Sequence, residues 1–140
     1  MQVVSRVVRE HVCLEHARVR LLAADLLREA LQTGRDDGHR VSRARLALLC
    51  DAVGRAIEVE ERELVPMLQS TRGSIADATV ADLHERHARV LGVLEALEEL
   101  QELEPRDSAH HDCALVARAE ELIGAFSADL DERETLPLPR

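Results

Sequence analysis

The chain has 140 residues, a formal charge of −9, one Phe and neither Trp nor Tyr, and Arg is its only strong base because Lys is absent. That length suits a single domain, residues 1–140, with a real core. The acidic balance excludes the basic face that nucleic acid or an anionic membrane surface requires, and no run approaches the ~18 apolar residues of a membrane span.

With few Gly, few Pro and almost no aromatics, the composition points to an all-α fold. Cys13, Cys50 and Cys113 share no close spacing. They read as reduced thiols of a cytoplasmic protein, not as a disulfide framework or a Cys-rich zinc site. No apolar stretch follows residues 1–6, so no signal peptide is expected.

The first predicted helix runs from about Val3 to Thr33. Val8, Val12, His16, Val19, Ala23, Leu26 and Ala30 recur at steps of 3 and 4 and share one face. Gly34 to Gly38 breaks the pattern and reads as a tight connection. The second helix runs from about Ser42 to Gln69, with an inward stripe of Leu46, Leu49, Val53, Ile57, Glu60, Leu64 and Met67. Glu60 is a carboxylate where the period demands an apolar residue. Pro66 falls in the last turn, where it would kink or loosen the helix.

The link from Ser70 to Ile75 contains Gly73, and Ser74 to Asp77 resembles a capping box with Asp in place of Glu. The third helix, from about Asp77 to Leu103, carries Val80, Leu83, His87, Val90, Leu94 and Leu97 on one face. Asp107 or Ser108 would cap the fourth helix, from about Ala109 to Glu134, whose inward residues are Val116, Ala119, Ile123, Phe126 and Leu130. Asp131 lies at the edge of that stripe. Four long helices with short links imply an up-down-up-down four-helix bundle.

The bundle is written twice. His16-Ala17-Arg18-Val19 returns as His87-Ala88-Arg89-Val90, and 87 − 16 = 71. The same offset carries Glu60-Glu61-Arg62-Glu63-x-x-Pro66 onto Asp131-Glu132-Arg133-Glu134-x-x-Pro137. The chain is therefore two repeated helical hairpins, each with a His early and a carboxylate late. At about 1.5 Å per residue, His16, Glu60, His87 and Asp131 fall toward one end of the antiparallel bundle. Two imidazoles and two carboxylates brought together in a core are resolved by a bound cation or by a metal-free polar network.

His84, one turn before His87, is a further metal-ligand candidate; it and His11 otherwise read as rim residues. His39, His110 and His111 read as solvated, as do Glu61-Arg62 and Glu132-Arg133.

On these residues the chain resembles the hemerythrin-like (HHE cation-binding) family over nearly its whole length. The resemblance implies a bundle with a non-haem di-iron site that binds oxygen, nitric oxide or peroxide, or senses iron or oxygen. It implies His16 and His87 as the imidazole ligands of helices one and three, and Glu60 and Asp131 as carboxylates that bridge the irons. The family also places a His four residues before each carboxylate. Here those positions, again 71 apart, hold Ala56 and Ser127.

Two imidazoles and two carboxylates suffice for one Fe, Mn or Zn ion with open positions; two metals would need water or His84 as well. Such a centre would bind a small diatomic or peroxide ligand. A second reading puts haem between His16 and His87, in a cavity opened by Ala56 and Ser127. A third is a metal-free bundle that acts as an interaction domain.

Overall fold

The computed structural model describes residues 2–33, 43–70, 73–102 and 114–126. Among them every residue but Gly73 is helical. The chain forms α1 (Gln2–Thr33), α2 (Arg43–Val59), a π-helical segment (Glu60–Leu64), α3 (Val65–Ser70), α4 (Ser74–Glu102) and α5 (114–126). The π segment joins α2 to α3 without a break, so α1, the α2–α3 rod, α4 and α5 are the four rods of the bundle.

The predicted stripes are the buried faces. Val8, Val12, His16, Val19, Ala23, Leu26 and Ala30 of α1 are all buried, as are Val80, Leu83, His87, Val90, Leu94 and Leu97 of α4. On the second rod Leu46, Leu49, Val53, Ile57, Glu60 and Leu64 are buried, whereas Met67 is half-buried. In α5 Val116, Ala119 and Phe126 are buried as expected, and Ile123 is half-buried. Leu115 and Leu122 are fully buried as well, so the inward face of α5 is wider than its predicted stripe.

Side-chain pairs fix the register. Arg45 reaches Glu29 at 2.5 Å and His11 reaches Glu63 at 2.6 Å. Both pairs sum to 74 (29 + 45 and 11 + 63), as two antiparallel rods in constant register require. The α2–α3 rod and α4 are likewise antiparallel, linked by Cys50 with Gln101 near one end and Glu61 with His84 toward the other.

The second rod is not the uninterrupted α-helix its periodicity predicts. The Val65 amide donates to the Glu60 carbonyl, five residues back. Pro66 supplies the reason: it has no amide to give to the Arg62 carbonyl, and its ring would press on that carbonyl in a regular α-helix. The backbone widens to π geometry one turn earlier, and Pro66 itself is exposed.

At the start of α4, the Asp77 amide donates to the Gly73 carbonyl at 3.2 Å. Gly73, rather than Ser74, thus holds the N-cap position, and its φ of 152° is one that suits glycine.

The core has two parts. A large cluster gathers Val19 to Ala30, Leu46 to Ile57, Val90 to Leu97 and the buried face of α5. A small one gathers Val8, Val12, Val59, Leu64, Val65, Leu68, Val80 and Leu83. His16, Glu60 and His87 belong to neither cluster and form the layer between them along α1, the second rod and α4. No helix among the described residues is long and apolar enough to cross a membrane.

Candidate metal centre

His16, Glu60 and His87 meet, as their spacing predicts. His16 Nε2 lies 2.6 Å from Glu60 Oε1, and His87 Nε2 lies 2.5 Å from Glu60 Oε2. The three residues are 0 %, 0 % and 3 % exposed. A carboxylate so deep would be very unfavourable alone. Here each of its oxygens accepts a hydrogen bond from one imidazole. The space expected between the two His is filled by this carboxylate, with Ala56 buried nearby on α2.

His87 is held on its other side too. Its Nδ1 lies 2.5 Å from Glu61 Oε1, and the same oxygen is 3.0 Å from Nδ1 of the exposed His84. Both ring nitrogens of His87 thus face a carboxylate, Glu60 on one side and Glu61 on the other. His16 is held differently. The Phe126 ring meets it edge to face, with centroids 5.8 Å apart and planes at 84°. His16 Nδ1 is buried and has no hydrogen-bond partner among the described residues.

A second set of polar groups lies beside this layer. His11 pairs with Glu63 and has Glu15 Oε1 3.8 Å away. Glu15 is buried, and its Oε2 has no hydrogen-bond partner among the described residues.

The predicted ligands thus separate into groups. His16, Glu60 and His87 are together. His84 is at the rim and reaches the layer only through Glu61. His11 is half-buried and pairs away from Glu60. Asp131, its helix-four companion Ser127, Leu130, Glu132-Arg133, His39, His110, His111 and Cys113 lie outside the described residues. Cys13 is half-buried and Cys50 is buried, both as free thiols.

The reading of Glu61 and Arg62 as solvated holds for Arg62 but not for Glu61, which is half-buried against His87. An α-helical template turns Glu61 and Glu63 away from the core, whereas both reach His residues from the π segment. The signal that could have found them is Pro66, whose missing amide demands an irregular turn just before it.

The donors fit a divalent cation in kind: imidazole nitrogen and carboxylate oxygen are what such ions take in a helical bundle. Their placement is two half-sites, one imidazole nitrogen opposite each oxygen of Glu60. Among the described residues no group of three or more His, Cys, Asp or Glu is arranged to hold one ion.

No curated protein and no solved structure shows significant similarity to the chain. A family model does: the hemerythrin HHE cation binding domain matches residues 7–139, nearly the whole length. That match, on a bundle whose only polar core layer is built of His and Glu among the described residues, has one reading: the chain belongs to the hemerythrin HHE cation-binding family.

Proposed function

We propose that this domain binds iron in a non-haem centre, mononuclear or atypically dinuclear, and that the centre binds, senses or reacts with oxygen, nitric oxide or peroxide. His16, Glu60 and His87 would hold the metal, with Asp131 contributed by the second repeat. The observation that carries the proposal is the fully buried Glu60 carboxylate, with an imidazole nitrogen aimed at each of its oxygens. A metal ion held there supplies a Lewis-acidic position to which a small ligand can attach. The protein's part is to present donors on rigid helices, to keep water out through the apolar clusters on either side, and to hold the imidazole rings by Phe126 and Glu61.

The ligand types alone also suit Mn(II) or Zn(II). Iron is favoured by the cation-binding family in which the domain falls. The haem reading loses ground to the same carboxylate: Glu60 stands where a macrocycle between His16 and His87 would have to sit.

Metal analysis and the visible spectrum test the proposal. Anaerobic loading with Fe(II), then exposure to oxygen or nitric oxide, is expected to give about one or two equivalents of iron and charge-transfer absorption without a Soret band. A Soret band in the protein as purified would establish haem instead. Absence of bound iron after loading would leave the metal-free interaction bundle as the reading.

A further inference from the structure

We infer that Glu61 is the positioning residue for His87, and that His84 steadies Glu61 from the rim. The inference rests on the iron-binding reading for its consequence, but not for its geometry. A free imidazole on a helix can rotate about its side-chain bonds and offer either nitrogen. His87 does neither, because its two nitrogens are fixed from opposite sides: Nε2 by Glu60 Oε2 and Nδ1 by Glu61 Oε1, both at 2.5 Å. A carboxylate on the remote nitrogen of a ligating imidazole fixes which nitrogen faces the metal, sets the ring's plane and makes the ligand a better donor.

Glu61 can play this part only because of the π segment. Glu60 and Glu61 are consecutive, yet both grip the same ring. The wider turn brings the second carboxylate around to the α4 side. His84, three residues before His87 on α4, then donates to the oxygen that His87 already uses. The result is a chain from the surface to the core: His84, Glu61, His87, Glu60, His16. His84 therefore acts on the site through a carboxylate and is not itself a metal ligand.

The test has an arm without metal and an arm with it. In the metal-free protein, nitrogen-15 NMR of the imidazole rings reads the hydrogen bond at His87 Nδ1. Glu61→Ala is expected to shift the Nδ1 resonance and speed exchange of its proton. Glu61→Gln, which keeps an acceptor oxygen, should restore much of the parental signal. His84→Ala should produce a smaller change of the same sign. An unmoved His87 Nδ1 signal in Glu61→Ala would overturn the assignment.

With metal, the affinity for Fe(II), or for Co(II) as a spectroscopic probe, is expected to fall roughly 10- to 100-fold in Glu61→Ala and less in Glu61→Gln. Unchanged affinity in Glu61→Ala, with the parent protein binding normally, would also overturn it. If the parent protein binds neither ion, the iron reading fails, and the NMR arm alone decides whether Glu61 positions His87.

Discussion

The amide of Val65 donates to the carbonyl of Glu60, one residue further back than an α-helix allows. The two carboxylates that grip His87, and the one that pairs with His11, all lie on this π turn. Pro66→Ala returns an amide to position 66 and lets the regular ladder close. The expected outcome is a more stable helix, by up to about 3 kcal/mol, with weaker metal binding because Glu61 turns off the α4 side. Urea denaturation and Co(II) titration of one sample read the two effects, which should move in opposite directions.

Glu60 is the shared acceptor of two buried imidazoles, so its loss should be severe. Glu60→Ala leaves His16 without its hydrogen-bond partner and takes from His87 the one at Nε2, and breaking a buried polar network in this way is destabilising by about 3–5 kcal/mol. Replacing His16, Glu60 and His87 together by Leu removes the unpaired groups as well as the pairs. That triple variant is expected to match or exceed the parent in stability while binding no metal. Chemical denaturation monitored by circular dichroism, beside metal analysis, checks both halves; a triple variant less stable than Glu60→Ala would contradict the argument.

Phe126 is fully buried against the edge of His16 and belongs to the large apolar cluster. Phe126→Ala should destabilise by about 3–5 kcal/mol, the usual range for emptying an aromatic core position. Phe126→Leu should recover most of that stability but not the ring contact. A metal affinity lowered in Phe126→Leu while its denaturation midpoint stays near the parent's would separate the aromatic contact from bulk packing.

The Cys50 thiol is pushed up to about 11, first by burial and then by the nearby Glu98 charge, with Gln101 pulling the other way. Its ordinary value is 9.0, so the unfolded chain ionises first as pH rises. The folded state holds its full advantage below pH 9 and loses it progressively toward about 11. At neutral pH, maleimide labelling read by mass spectrometry should therefore modify the half-buried Cys13 well before Cys50. Cys50→Ser should flatten the alkaline fall in stability.

His16 Nδ1 has no partner among the described residues, whereas the matching nitrogen of His87 has Glu61. The offset that relates the two His relates Glu61 to Glu132, since 61 + 71 = 132. Glu132→Ala is accordingly expected to weaken Fe(II) or Co(II) binding to a degree comparable with Glu61→Ala, and Arg133→Ala to leave it unchanged. Titration of the three variants side by side decides the point, and equal effects of Glu132→Ala and Arg133→Ala would reject it.

The apolar steps of 3 and 4 made the buried faces of α1, the second rod and α4 readable, because burial follows helical period wherever the backbone is regular. The same regularity exposed His16, Glu60 and His87, since a polar residue on an apolar stripe has to be explained by something inside. Glu61 and Glu63 were not readable in that way. Their inward reach depends on a turn that departs from 3.6 residues, so a periodic template assigns them to solvent. The width of the α5 face escaped for a milder reason: Leu115 and Leu122 lie beside the predicted stripe, and a helix packed into the large cluster buries more than one line of side chains.

Glu60 belongs to the first hairpin and His87 to the second. The layer that divides the core therefore draws on both halves of the chain; the contacts of His87 with Glu60 and Glu61 are lost when the halves part, whereas His16–Glu60 stays within the first. Among the described residues the shortest polar contacts between the halves are those of His87 with Glu60 and Glu61, so opening of the halves breaks them. The layer is in that sense a latch between the two halves of the chain. A cation shared across it would close the same seam, which would couple occupancy of the centre directly to how firmly the two halves hold together.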